Sequence, residues 1–285
     1  MLPTQNHTVT LLISCPDQPG IVAAVSRFIF EHHGNIVQSD QHSTPDNTFF
    51  MRISFAEGGF SLTPLELIEG FRSIADVFSM QWSASYSRHR KRAGIFVSKL
   101  DHCLTDLLWR WKSGELAIDI PFIVSNHRDL ELLAQMYGIP YHYAPIQREQ
   151  RREDEHHILD FIQGKVDFLI LARYMQIIEP FFVDAYPHQI INIHHSFLPA
   201  FVGANPYARA FERGVKLIGA TAHYITDNLD EGPIIAQDVI HCNHRDTVED
   251  LVRKGRDVER RVLAEAVRLH AEDRVLVYEN KTIVF

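Results

Sequence analysis

The sequence predicts an α/β protein made of two domains, and two observations lead to this fold class. Residues 1–86 contain two helical patterns among four short strands, in the order βαββαβ, which is a ferredoxin-like topology. From residue 93 onward, apolar strands alternate with helices, which is typical of a doubly wound, mostly parallel sheet. We therefore expect domains at residues 1–86 and 93–285, joined by a polar and basic linker at residues 87–92.

The N-terminal elements follow from local signals. Strands are expected where β-branched and other apolar residues cluster, at residues 8–14, 35–41, 49–55 and 80–86. The first helix begins near Ile21, after the turn D-Q-P-G, and Gly34 ends it. Thr63 is the predicted N-cap of the second helix, with Pro64 at its first position, and this helix extends to about residue 78.

The C-terminal domain alternates strands with helices. Strands are predicted at residues 94–98, 122–125, 141–144, 166–171 and 189–193, and helices at 102–112, 129–137, 149–163 and 247–271. Two short strands, 275–278 and 282–285, come last. Ligands of parallel sheets bind beyond the carboxyl ends of the strands, and the polar residues near those ends are Ser98, Ser125, Arg173 and Asn192.

The composition excludes several functional classes. The 285 residues include 28 Lys and Arg against 36 Asp and Glu, a net charge of −8, and no long basic run that would indicate nucleic-acid binding. The 3 cysteines are widely spaced, so neither a disulfide framework nor a zinc cluster is expected. No apolar run is long enough for a membrane span, and the first residues, M-L-P-T-Q-N-H, lack the features of a signal peptide. We expect a cytoplasmic protein without membrane partners.

The most informative stretch is residues 192–233. Because side chains alternate along a strand, Asn192 and His194 share one face and His195 points the other way, and Thr221 and His223 share a face by the same rule. Asp230 lies in a turn that Gly232 and Pro233 close. An amide, an imidazole and a carboxylate suit the cleavage of a formamide, by supporting an oxyanion, moving a proton and orienting water. The residues alone fit equally well a pair of hydrogen-bonding groups at the end of a strand.

A metal site is the rival interpretation of the histidines in this half, which are His194, His195, His223, His241 and His244. A catalytic zinc needs about three ligands that converge on one point, whereas adjacent strand histidines diverge. We therefore expect no metal.

The motifs N-I-H-H-S-F-L-P-A-F and T-A-H-Y-I-T-D-N-L-D-E-G-P-I-I-A-Q resemble the folate-dependent formyltransferase family. The resemblance implies the formyltransferase fold for residues 93–285, with Asn192, His194 and Asp230 as the catalytic set, and together with a separate N-terminal domain it covers nearly the whole chain. It also implies a folate substrate and no cofactor. The residues expected to enclose the folate are Met175, Gln176, Ile177, Ile178, His223, Asp227 and Gly232. For Arg173 the choice stays open between a contact with an anionic glutamate tail and a surface cation.

Within that family, G-A-N-P-Y and E-R-G-V-K-L-I-G-A-T-A-H-Y resemble the members that hydrolyse 10-formyltetrahydrofolate to formate and tetrahydrofolate, which supplies formate to purine and one-carbon metabolism. The segment S-K-L-D-H-C, residues 98–103, has no glycine that would let backbone amides approach the phosphate of a second substrate. Water is therefore the expected acceptor. The alternatives are formyl transfer to an amine and a folate-binding sensor without turnover.

The turn D-Q-P-G, residues 17–20, resembles the first turn of ACT domains. This resemblance implies a regulatory site that includes Asp17 and Gly20, an amino-acid effector and a homo-oligomer. Glycine and methionine are the effectors that the family suggests. A domain that only mediates dimerisation is the equally weighted alternative.

Overall fold

The structure is a computed structural model that describes residues 7–199 and 206–285. It divides into two compact units. The first comprises the described residues up to His89 together with Glu272–Leu276 and Ile283–Phe285, and the second comprises Arg90–Ala271 and Val277–Thr282. The motif residues 203–205, from G-A-N-P-Y, lie outside the described residues. None of the described helices is long and apolar enough to span a membrane.

The first unit contains a four-stranded antiparallel sheet with two helices. Its elements are β1 (Thr8–Pro16), α1 (Ile21–Glu31), β2 (Asn35–Ser43), β3 (Thr48–Ala56), α2 (Pro64–Val77) and β4 (Gln81–Tyr86). The strand order is β2-β3-β1-β4, so the predicted ferredoxin-like topology is confirmed. The N-terminus of α2 is held by a capping box, in which Thr63 and Glu66 each accept a hydrogen bond from the other residue's backbone N–H.

The turn before α1 is fixed to the β2–β3 loop. The Asp17 N–H donates to the Asn47 carbonyl at 2.8 Å, and the Asn47 side-chain amide donates to the Asp17 carbonyl at 3.1 Å. Gly20 has a φ of 101°, in the left-handed region that favours glycine, and caps α1. These contacts explain why the predicted regulatory turn has a defined shape.

The second unit is built on a mostly parallel sheet, which confirms the predicted fold class. Its first half comprises β5 (Lys91–Val97), α3 (His102–Ser113), β6 (Ile118–Asp119), β7 (Ile123–Ser125), α4 (Glu131–Met136), β8 (Tyr141–Tyr143), α5 (Arg151–Ile162) and β9 (Phe168–Leu171). Its second half comprises α6 (Pro180–Ala185), β10 (Ile190–His194), α7 (Pro206–Arg213), β11 (Leu217–Tyr224), β12 (Ile234–His241) and α8 (Val248–Ala271). A final hairpin consists of β13 (Val275–Tyr278) and β14 (Lys281–Val284).

The strand order of the second unit is β12-β11-β10-β9-β5-β7-β8. Neighbouring strands from β10 to β8 pair in parallel, whereas β11 and β12 pair antiparallel. The fully buried residues of β9 explain its continuous apolar run, because a parallel strand covered on both faces needs no alternation. Helix α8 packs against β10, β11 and β12.

Some element boundaries differ from the sequence-based ones. Strand β5 begins at Lys91, inside the predicted linker, because Arg92 and Asp167 exchange backbone and side-chain hydrogen bonds that extend the sheet. Strand β12 had no sequence-based prediction, since it is an edge strand whose apolar residues do not alternate.

Candidate active site

A cavity of about 530 Å³ lies at the carboxyl ends of β9 and β10. Two connections form its sides, the segment after β9 and the loop from β11 to β12. It is lined by Leu171, Arg173, Tyr174, Met175, Gln176, Ile177, Ile178, Asn192, Ile193, His194, His195, His223, Ile225, Thr226, Asp227, Asn228, Leu229 and Asp230. The cavity therefore brings together the three predicted catalytic residues and most of the predicted binding residues.

The strand register places Asn192 and His194 on one wall. In the β10–β11 pairing, Asn192 lies opposite His223 and His194 lies opposite Thr221, so these four residues occupy the same face of the sheet. Asp230 reaches this wall from the β11–β12 loop, where it has a φ of 58°, a left-handed conformation that Asp tolerates better than most residues. The Asp230 Oδ1 lies 3.2 Å from His194 Nδ1.

The His194–Asp230 pair determines which atoms carry protons at the centre of the cavity. Burial alone would raise the pKa of Asp230, but the hydrogen bond from His194 and the charges of the neighbouring histidines lower it overall. The carboxylate is therefore ionised at neutral pH and accepts the Nδ1 proton. The opposite ring atom, His194 Nε2, is buried and has no hydrogen-bond partner among the described residues. This nitrogen is the one available to a substrate.

His223 fixes the orientation of the Asn192 amide. Burial lowers the pKa of His223, so its ring is neutral near pH 7. Its Nδ1 lies 2.9 Å from the Tyr224 carbonyl, which can only accept a hydrogen bond. The proton is thus on Nδ1, and Nε2 accepts from the Asn192 amide nitrogen at 3.2 Å. One amide N–H remains for a ligand in the cavity.

The segment after β9 forms an open apolar wall. Met175 and Ile177 are 59% and 61% exposed, so their apolar side chains are accessible to a flat ligand in the cavity. Two contacts hold the segment: the Met175 N–H donates to Ser98 Oγ at 3.0 Å, and Arg151 donates to the Ile177 carbonyl at 2.5 Å. Arg151 also donates to the Gln176 side chain at 3.2 Å. Ile178 and Asp227 line the same cavity.

Gly232 is the predicted binding residue that is not among those lining the cavity. It is buried, and a Cβ at this position would overlap the Tyr224 carbonyl oxygen. A close approach of two backbone segments therefore accounts for this glycine. It shapes the loop that carries Asp230 and makes no part of the wall.

Arg173 is buried, which rules out the surface-cation interpretation. Its side chain is 9% exposed, and its Nε lies 3.4 Å from the carboxylate of Glu259 on α8. Sequence reasoning missed Glu259 as well as its partners His102 and Tyr207. The sequence feature that could have identified Glu259 is its position on the apolar stripe of α8, among Gly255, Val258 and Val262, where an acidic residue is unusual.

Comparisons with known proteins agree with this geometry. The profile of a family described as formyl transferase matches residues 91–267, and the profile of the ACT domain matches residues 9–62. A formyltetrahydrofolate deformylase of Synechocystis sp. is 52% identical over 99% of this chain and 99% of its own. The corresponding protein of Bacillus subtilis is 54% identical over 96% of this chain and 93% of its own.

Solved structures give the same result. A formyltetrahydrofolate deformylase from Pseudomonas syringae pv. tomato has a TM-score of 0.97 and 46% identity, covering 100% of this chain and 96% of that one. A glycinamide ribonucleotide transformylase from Symbiobacterium toebii has a TM-score of 0.65 and 31% identity, covering 69% of this chain and 95% of that one. The similarity to the formyltetrahydrofolate deformylases extends over both units, so the chain belongs to the formyltetrahydrofolate deformylase family.

Proposed function

We propose that this chain hydrolyses 10-formyltetrahydrofolate to formate and tetrahydrofolate by direct attack of water on the formamide. The observation that supports this most strongly is the convergence of Asn192, His194 and Asp230 on one cavity, with the last two 3.2 Å apart. The formate would supply purine and one-carbon metabolism. No cofactor is needed, because 10-formyltetrahydrofolate is itself the substrate.

In the first step, the oxygen of a water molecule bonds to the formyl carbon. The ionised Asp230 accepts a hydrogen bond from this water and orients it. As the carbonyl oxygen becomes negative, the N–H of Asn192 that is not bound to His223 donates to it. The water gives up one proton in this step, to His194 Nε2 when this nitrogen acts as the base, or to the Asp230 carboxylate when Nε2 instead donates to the oxyanion.

In the second step, the bond between the formyl carbon and N10 breaks. The N10 atom must gain a proton as it leaves, and His194 Nε2, which has no partner in the described part of the chain, is the nitrogen that exchanges it. The products are formate, a proton and tetrahydrofolate, so atoms and charge balance. His194 can serve first as a hydrogen-bond donor to the oxyanion or as the base, and both roles use the same Nε2 atom.

Binding of the pteridine is assigned to the wall after β9. Met175, Ile177 and Ile178 offer apolar contacts, and Asp227 lies on the polar edge of the cavity. The Gln176 side chain already bonds to Arg151, so it supports the wall. His223 contributes through Asn192.

Formyl transfer to an amine has less support. The segment after β5 has no glycine, and two of its polar side chains, Ser98 and His102, are already bonded within the chain. The Ser98 hydroxyl donates to Asn126 at 2.7 Å, and His102 Nε2 lies 2.7 Å from Glu259. Neither group is available for a phosphate.

The decisive experiment measures formate and tetrahydrofolate released from 10-formyltetrahydrofolate without any acceptor. The wild-type chain should release both in equal amounts, and Asp230→Asn should lower the rate by at least about 100-fold, because it removes the charge that orients the water and the acceptor for His194 Nδ1. The matched control is Glu231→Gln, which removes the charge of an exposed neighbour in the same loop that does not line the cavity. Equal rates for wild type and Asp230→Asn would refute the mechanism, and release only in the presence of an amine would favour the transferase.

The N-terminal unit is proposed to bind an amino-acid effector at the turn of Asp17 and Gly20 and to take part in a homo-oligomer. The match to the ACT domain and the fixed geometry of this turn support the proposal. Repeating the same assay with glycine or methionine tests it, since a changed rate indicates an effector site and an unchanged rate favours a surface for assembly. The three free, buried cysteines are consistent with the proposed cytoplasmic location.

A further inference from the structure

A second cavity, of about 220 Å³, adjoins the proposed reaction site. Arg173 and His195 line both cavities and form their common wall. The other polar groups of the second cavity are His102, Tyr207, Arg256 and Glu259. All six belong to the second unit. A polar cavity on the far side of a catalytic wall has no role in the mechanism above.

The guanidinium of Arg173 is the unexplained group in this cavity. Its side chain is 9% exposed, yet its Nε has no hydrogen-bond partner among the described residues. The Glu259 carboxylate lies 3.4 Å from Nε but outside hydrogen-bond geometry. An arginine has five N–H donors, and buried donors are nearly always paired in folded proteins. The cavity therefore holds donors that suit a ligand with acceptor oxygens.

The charges of the cavity favour an anion. Glu259 accepts hydrogen bonds from His102 Nε2 at 2.7 Å and from the Tyr207 hydroxyl at 2.6 Å. Burial would raise the pKa of Glu259, but the bond from His102 and the charge of Arg173 lower it, so it is ionised. With Arg173 and Arg256 positive, the arginines exceed this carboxylate by one charge. Burial and Arg173 lower the pKa of His195 to about 4, so it adds none at neutral pH.

A metal ion is a poorer occupant of the same place. His102, Cys103 and Glu259 have ligand atoms within 4.8 Å of one another. However, burial and the charge of Glu259 raise the pKa of the Cys103 thiol well above its usual value, so it stays protonated. The positive charge of Arg173 would also repel a cation. An anion is thus the better match.

We propose that this second cavity binds the formate released by hydrolysis, with Arg173 and Arg256 as its cationic groups. The inference rests on the proposed function. Formate forms beside the negative Asp230, which repels it, and the arginines across the shared wall attract it. The volume of 220 Å³ is below the range of about 300–1,000 Å³ typical of drug-sized ligands, and it suits a small carboxylate.

The test is a titration of the full-length chain with ¹³C-labelled sodium formate, followed by NMR line broadening at constant chloride. No turnover is needed, so the result is independent of the hydrolysis assay. Wild type should bind formate saturably, and Arg256→Gln should weaken binding by about threefold or more, as expected for losing one exposed cation. Arg253→Gln is the matched control, because Arg253 lies on the same helix, is paired with Asp250 and does not line the cavity.

A second variant tests whether formate binding needs the free volume of the cavity, without changing its charge. Val252 lines the cavity, and Val252→Phe should fill it and weaken formate binding while leaving every charge in place. The proposal is overturned if wild type shows no saturable binding, if Arg253→Gln weakens binding as much as Arg256→Gln, or if tetrahydrofolate displaces formate competitively. Formate binding without hydrolysis would refute the proposed function and leave the anion site standing. Hydrolysis without formate binding would refute the anion site and leave the proposed function standing.

Discussion

The orientation of the Asn192 amide depends on His223. Nitrogen and oxygen of an amide differ in which hydrogen bonds they form, so in the proposed mechanism a reversed Asn192 would present its oxygen to the developing oxyanion and repel it. His223 prevents this because its Nδ1 proton is held by the Tyr224 carbonyl and its Nε2 can only accept. A buried, neutral histidine thus determines which atom of the neighbouring Asn192 side chain is left free in the cavity.

We expect His223→Ala to lower kcat by about tenfold or more with little change in KM, because the interaction that it disorders forms mainly in the transition state. Steady-state kinetics of formate release measure both constants. His241→Ala is the control, since His241 is an exposed residue at the end of β12. An increase in KM alone would show instead that His223 acts on folate binding.

Sequence reasoning predicted Asn192 and His194 on one face because alternation along a strand is local. It identified Asp230 through the motif around it. The pairing of His223 with Asn192 was not predictable in this way, because it depends on the register of two strands whose sequence positions are 31 residues apart.

Among the elements, α8 contributes to a site through Gly255, whose lack of a side chain makes room for Tyr207. Gly255 leaves a notch in α8 in which the buried ring of Tyr207 lies, and a Cβ at 255 would overlap that ring. Tyr207 then reaches Glu259 one turn further along the same helix. The notch therefore positions the start of α7 against the polar cluster beside the reaction site.

Two effects of opposite sign make Gly255→Ala informative. Helix propensity alone predicts a gain of about 1 kcal/mol, whereas overlap with the Tyr207 ring predicts a loss of about 1–3 kcal/mol. We expect the loss to dominate in chemical denaturation. Adding Tyr207→Leu should remove most of that loss, since the ring that the new methyl group meets is gone. A stabilised Gly255→Ala protein would show that Tyr207 moves aside freely.

Element types were predicted better than element ends. The helix of residues 129–137 is present but shorter, as Glu131–Met136, and β5 extends into the expected linker. The end of a strand depends on which neighbour pairs with it, and the contact of Arg92 with Asp167 crosses 75 residues of sequence. Local propensity contains no information about such a partner.

For the molecule as a whole, two partly buried, neutral histidines predict acid sensitivity. Burial lowers the pKa of His270 to about 3 and that of His195 to about 4. In the unfolded chain both return to about 6.5, so between these values the unfolded chain binds more protons. The stabilisation is complete above about pH 6.5 and decreases as the pH falls. Burial raises the pKa of Glu155 above its ordinary value of about 4.5, so between that value and its raised pKa the folded chain holds an extra proton and Glu155 opposes the trend.

We therefore expect the free energy of unfolding to fall as the pH is lowered from about 7 to about 5, measured by chemical denaturation. His270→Gln should flatten this dependence, because it removes the more strongly shifted of the two histidines, whatever its effect on stability at neutral pH. His241→Gln should leave the slope unchanged. An unchanged slope in His270→Gln would mean that another group accounts for the acid sensitivity.

The sequence by itself determined the two domain types, most of the strands and helices, and the motifs that contain Asn192, His194 and Asp230, because each of these is encoded in periodicity or in contiguous residues. Tertiary structure alone decided that Arg173 is buried, that His223 accepts a hydrogen bond from Asn192, and that His102 and Tyr207 bond to Glu259. The physical reason is that burial and pairing change the charge and the hydrogen-bonding capacity of a side chain, and both depend on partners that the folded chain brings from distant positions.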